Sequence, residues 1–217
     1  MVGFTQLIAV LAILLFAPAG SLDYWQAWLY WFVFSGSSAL ITLSLWKYDR
    51  MLLQRRIHAG PGAENEKNQK LIQFLASFAF VGLLVLPSFD HRYSWSAVPP
   101  PLVVLGDLLT ALGFLMIFRV FKENTFTAAT IAVLPGQAVV STGPYAIVRH
   151  PMYSGALVML LGTPLALGSW WGLLMWIPMV LIIAWRARAE EKVLVERLSG
   201  YKQYCETVHH RLVPYVW

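Results

Sequence analysis

Charge is what this sequence has least of. Asp, Glu, Lys and Arg make up 12% of its 217 residues, where a soluble domain carries about a quarter. With 58% hydrophobic residues and ten tryptophans, that shortfall excludes a soluble globular domain and points to a polytopic membrane protein. Cysteine occurs once, as Cys205, so no internal disulfide is possible and the residue reads as a bystander. The opening MVGFTQ has neither Lys nor Arg. A secretory signal peptide carries positive charge there, so the apolar run behind it is read as a retained first span. No glycine-rich loop of the P-loop or dinucleotide type occurs, nor a defensible Ser-His-Asp set. His209 and His210 lack partners at metal-ligand spacing, so no metal is expected.

What the sequence does have is six apolar segments, at about 2–19, 24–46, 71–86, 102–121, 153–167 and 170–185. About 20 apolar residues cross the hydrocarbon core as a helix. The last two are shorter and are joined by Gly168-Ser169, which predicts a tight hairpin. The expected fold is an all-α transmembrane bundle of five or six membrane segments. Residues 47–70 hold six Lys/Arg, 119–151 three and 186–217 six, while the other side has only Arg92. That bias places the three rich segments and both termini in the cytoplasm. The net charge of +5 then reads as a topology signal beside anionic lipid, not as a nucleic-acid surface. Trp25, Trp28, Trp31, Trp170 and Trp171 read as an interfacial aromatic belt on the outer side. Asp107, near the outer end of its span, is expected to have a structural or interfacial role.

Three cytoplasmic stretches are too polar for packing alone. KYDRMLLQRRIHAGPGAENEKNQK reads as an amphipathic surface helix and a Gly-Pro-Gly loop, without chemistry of its own. FKENTFTAATIAVLPGQAVVSTGPYAIVRHPMYSG contains a turn at Pro135-Gly136, a short extended run and a second turn at Gly143-Pro144. Pro151 suits the first turn of a helix, which sets Arg149 and His150 at a helix start suited to a carboxylate or phosphate. RARAEEKVLVERLSGYKQYCETVHHRLVP places Arg186 and Glu190 four apart on one helix face. The residues alone reach a cytoplasmic-face anion or cofactor pocket in residues 121–217, with residues 1–120 as membrane helices.

The run GPYAIVRHPMYSG, a hairpin, RARAEE and the Gly-Tyr-x-x-Tyr tail resemble the isoprenylcysteine carboxyl methyltransferases and the related membrane phospholipid methyltransferases. The resemblance covers roughly residue 121 to the C-terminus. It implies an integral membrane methyltransferase using S-adenosyl-L-methionine, with S-adenosyl-L-homocysteine as product. It also implies contacts to that cofactor from Gln137, Ala138, Val139, Val140, Tyr145, His150, Pro151, Met152, Tyr153 and Glu190, with Asn124 near the pocket. Arg186 is expected on the substrate side as the catalytic residue. Related chains often carry an arginine after the second tail tyrosine; Thr207 stands there, and Arg211 lies a turn further on. The acceptor is therefore written broadly, as a lipophilic or amphipathic small molecule or lipid entering from the membrane. The compact chain suggests a bacterial cytoplasmic membrane. Two other readings remain open: an NADPH-dependent membrane reductase of the sterol-reductase type, and a non-catalytic protein on the same scaffold.

Overall fold

A computed structural model describes residues 2–57, 62, 67–127, 133 and 136–217. Those residues form helices and loops, with no strand among them. In chain order the helices are α1 (Val2–Ala19), α2 (Trp25–Tyr48), α3 (Arg50–Ile57), α4 (Lys67–Tyr93), α5 (Pro100–Glu123), α6 (Pro151–Ala166), α7 (Leu173–Arg197) and α8 (Tyr201–Thr207), with a 3-10 turn at Gly143–Ala146 before α6. Among the described residues, α2, α4 and α5 are long and apolar enough to cross a membrane. Helices α1 and α6 are apolar but shorter. Helix α7 is long enough, yet it is not a uniform span: its first half is apolar and the half after Trp185 is charged. The hairpin prediction holds at Gly168, whose φ of +74° suits a residue without Cβ. The surface-helix expectation is met by α3, whereas its Gly-Pro-Gly loop lies largely outside the described residues, as does Pro135.

Helices α5 and α6 run antiparallel in close contact because glycines face each other. A Cβ on Gly106 would lie 2.3 Å from the Ala166 nitrogen, and one on Gly162 would lie 2.4 Å from the Gly106 oxygen. One turn-pair further in, Gly113 meets the Gly155 oxygen at 2.5 Å by the same construction. Small residues let backbones approach where water supplies no hydrophobic drive between helices. Asp107 sits beside this seam. It is buried, and neither carboxylate oxygen has a partner among the described residues, which favours the structural over the interfacial of its two expected roles, with α6 packed against that stretch of α5.

Polar contacts tie the loops at one end of the bundle. The Asp90 carboxylate accepts hydrogen bonds from the Ser96 backbone and hydroxyl and from Ser169 Oγ, linking the α4–α5 loop to the hairpin. The Tyr24 hydroxyl donates to the Leu167 carbonyl at 2.6 Å, adding the α1–α2 loop. Trp25, Trp28, Trp170 and Trp171 are exposed at this end. The opposite end holds α3, the 3-10 turn, the start of α6, the charged half of α7, and α8. All the chemistry-bearing residues collect there.

Candidate functional site

Proline sets the site's first element. Pro151 opens α6 with its missing N–H at a position that has no helical partner. The Tyr153 and Ser154 amides both donate back to the His150 carbonyl, so of the amides at this helix start Met152 N–H is the one open to an anion. Residues 210–212 pair with the same corner. Arg149 N–H donates to the His210 carbonyl, His150 N–H to the Arg211 carbonyl, each at 2.9 Å, and Ser154 Oγ to the Leu212 carbonyl at 2.6 Å. The chain's tail therefore holds the Arg-His-Pro corner by its backbone.

One pocket lies against this corner. Gln137, Ala138, Val139, Val140, Tyr145, His150, Pro151, Met152, Tyr153 and Glu190 all line it, so the structure brings together every residue expected at the cofactor. Asn124 lines it too, donating from Nδ2 to the Tyr145 hydroxyl at 3.1 Å. Burial pushes the Tyr145 phenol up to about 12, so it stays protonated and its hydrogen is left to donate elsewhere. Sequence reasoning missed Tyr201 and Tyr204, which also form the wall. Their only signal was the spacing of the Gly-Tyr-x-x-Tyr tail. Tyr204 donates to the Tyr145 carbonyl at 2.7 Å, binding α8 to the 3-10 turn.

Glu191, not Glu190, is the structural hub. Its Oε1 accepts from Arg149 Nε at 2.7 Å and lies 3.3 Å from His150 Nε2, while Oε2 accepts from Arg211 Nε at 2.8 Å. Burial by itself would raise its pKa, but the hydrogen bonds from His150, Arg211 and Arg149 outweigh that and hold it at about 2. Arg149, which a span flank would explain by itself, is buried and also donates to the Val208 carbonyl at 3.0 Å. Arg211 thus serves the hub from the tail, the place where Thr207 offered no charge.

Glu190 faces the pocket instead. Its Oε2 accepts from the Tyr153 hydroxyl at 2.6 Å, and that hydroxyl accepts from Arg186 Nε at 3.0 Å. The i,i+4 spacing of Arg186 and Glu190 is thus bridged through Tyr153. Arg186 is buried outside the pocket wall. The Gln73 amide of α4, with its oxygen turned to the guanidinium, accepts from Nη1 and Nη2 at 3.2 and 3.3 Å. Tyr153 therefore stands between two compartments, the pocket with Glu190 on one side and Arg186 on the other.

The wall offers groups that want a ligand. The Tyr201 hydroxyl is buried with no partner among the described residues. Ala138 is exposed and Val139 and Val140 are half-buried, and their backbone has no backbone partner among the described residues, so it is open to a ligand. Aromatic rings and one carboxylate facing the pocket suit a ligand that carries a cation and an aromatic or hydrogen-bonding part.

Comparison with known proteins agrees over part of the chain. The family model "Phospholipid methyltransferase" matches residues 101–200, so the resemblance read from the motif is found by an independent route across that segment. The chain is also 29% identical over 134 residues to the Delta(14)-sterol reductase TM7SF2 of Mus musculus. That match covers 54% of this chain and 31% of the mouse protein, so the chain spans about a third of that relative.

Proposed function

We propose that the chain whose residues 101–200 match the phospholipid methyltransferases is an integral membrane methyltransferase that uses S-adenosyl-L-methionine. The acceptor is a lipophilic or amphipathic molecule, and the pocket and both termini face the cytoplasm. In this reading α1, α6 and α7 complete a bundle of five or six membrane segments around α2, α4 and α5.

The charge of the pocket wall carries this reading. Besides its tyrosines, the ionisable residues of the wall among those described are Arg149, His150 and Glu190. Arg149 and His150 are engaged by Glu191, and Glu190, whose Oε2 also lies 3.9 Å from His150 Nδ1, is the carboxylate of the wall that a ligand meets. A pocket of that sign favours a sulfonium and an ammonium and disfavours phosphates, which take arginines or helix-start amides. When bound, the cofactor supplies an electrophilic methyl carbon and leaves as a neutral thioether. The protein's part is positioning. Tyr145 and Tyr201 donate hydrogen bonds, and Glu190 accepts one from the ammonium or a ribose hydroxyl. Tyr153 holds Glu190 and Arg186 in register, and Arg186 places the acceptor's nucleophile against the methyl group. A carboxylate nucleophile arrives ionised and needs no general base.

A second reading, NADPH-dependent reduction, rests on the mouse sterol reductase match. Titration calorimetry with S-adenosylhomocysteine and with NADPH on detergent-purified protein separates the two. We expect S-adenosylhomocysteine to bind, and Glu190→Gln and Tyr201→Phe each to weaken it roughly tenfold, as loss of a hydrogen bond involving a charged group does. Binding of NADPH without S-adenosylhomocysteine would overturn the methyltransferase reading.

A further inference from the structure

Residues 213–217 form a loop that turns apolar side chains outward. Val213, Tyr215 and Val216 are exposed, Tyr215 at 93% and Val216 at 78%. Tyr215 sits at φ +63°, in the left-handed region that a side chain enters at a cost of roughly 1–2 kcal/mol. Its ring comes within 5.3 Å of His210, centroid to centroid, yet buries almost nothing there. The loop is nonetheless closed. The Trp217 carbonyl accepts from the amides of Arg211, Leu212 and Val213 at 2.9, 3.0 and 3.2 Å, and the Trp217 amide donates to the Val213 carbonyl at 3.1 Å. The guanidinium carbons of Arg188 and Arg211 lie 5.1 and 5.2 Å from the Trp217 ring centroid. The outward set is therefore presented in a fixed shape.

Two sets of contacts fix the height of this loop on the bundle. Leu212 belongs to the buried cluster that also holds Tyr153 and Leu157 of α6 and Ile183 and Ala187 of α7, and Trp217 packs against it. The Leu212 carbonyl accepts from Ser154, in the first turn of α6. Helix α7 shows where hydrocarbon ends. Leu174, Ile177, Leu181 and Trp185 are exposed on it, and their spacing of three and four puts them on one face. On a membrane bundle, an exposed apolar face of that kind meets lipid. The next residue on the same face is Arg188, whose guanidinium covers Trp217. Trp, Tyr and a long cation at the end of an apolar stripe are the residues of the headgroup layer. The loop thus continues the lipid-facing stripe of α7 into that layer.

We propose that residues 213–216 are an interfacial anchor, which inserts Val213, Tyr215 and Val216 into the headgroup layer of the membrane that the bundle spans. Residues 210–212 hold the Arg-His-Pro corner by its backbone, so the anchor ties that corner to the lipid surface. The proposal rests on the membrane part of the reading above and not on methyl transfer.

The test places spin labels on the full chain, in a Cys205→Ala background, through Tyr215→Cys, Val216→Cys, Lys202→Cys or Leu181→Cys. Each protein is held in nanodiscs of palmitoyloleoyl phosphatidylcholine. The measured quantity is the ratio of label collisions with oxygen, which concentrates in lipid, to those with a water-soluble nickel chelate. At 215 and 216 the ratio should be several-fold above that at Lys202, which is exposed on α8, and below that at Leu181 on the apolar face of α7. Val216→Asp should lower the ratio at 215 toward that at Lys202, since lost apolar burial and an added charge both favour water. Equal ratios at 215, 216 and 202 would overturn the proposal by placing the loop in water. So would a ratio at 215 indifferent to Val216→Asp, which sets the label against protein, or spin–spin broadening at 215, which gives this face to a second copy of the chain. A ratio at Leu181 as low as that at Lys202 is the distinct outcome that removes the membrane reading beneath the proposal.

Discussion

At the scale of single residues, adjacent glutamates divide two tasks that their identity does not distinguish. Glu190 points into the pocket, and Glu191 points into the protein, where Arg149, His150 and Arg211 close on it. The second of these is a stability device with a defined pH signature. Its folded pKa of about 2 lies below the ~4.3 of an unfolded glutamate. Its contribution is therefore complete above about pH 4.5 and is lost as pH falls toward 2. We expect the melting temperature in detergent to fall across that window, and to fall less steeply in Glu191→Gln. That variant should already be less stable at pH 7 by roughly 3 kcal/mol, because it leaves buried cations without their partner. An unchanged acid limb in Glu191→Gln would assign the acid sensitivity to other carboxylates.

At the scale of elements, the seam between α5 and α6 determines where the site can form, since α6 carries His150 to Tyr153 at its start. The glycine faces leave no room for a methyl group. Gly162→Ala puts a Cβ 2.4 Å from the Gly106 oxygen and 2.9 Å from Leu109 Cβ, and overpacking of that kind costs about 1–3 kcal/mol. Gly36 in α2 has nothing within 4 Å of the same position, and alanine is the better helix former by about 1 kcal/mol. Thermal unfolding in detergent should thus show Gly162→Ala melting lower than wild type, and Gly36→Ala melting at or above it. Equal melting of the two variants would mean that the seam opens at no cost.

At the scale of the whole molecule, the bundle has a tied end and a chemical end. The Asp90, Ser96, Ser169 and Tyr24 contacts gather three loops at the first, and the Lys/Arg-rich segments lie toward the second. With the second end cytoplasmic, Ser21→Cys in a Cys205→Ala background should react with a membrane-impermeant maleimide in intact cells. Lys202→Cys should react only after lysis, and the reverse pattern would invert the topology. The apolar segments were legible because water and hydrocarbon sort side chains by composition alone. Segment 2–19 coincides with α1, and 24–46 and 102–121 fall within two residues of α2 and α5 at each end. Helix α7 was cut twelve residues short at 185, since burial against the tail, rather than apolar content, carries it on to Arg197. The pocket wall was legible too, through local turn chemistry at Gly143-Pro144 and Pro151 and through the motif resemblance. Charge partnership was not. Arg149 meeting Glu191 spans 42 residues and Arg56 meeting Met152 spans 96, and separations of that size are set only when helices pack. The sequence by itself therefore determined the apolar helices, and with the family resemblance it named ten of the residues that line the pocket. The tertiary structure decided which charges neutralise one another inside it and which remain to meet a ligand, because Coulomb energy depends on distance in space and not along the chain.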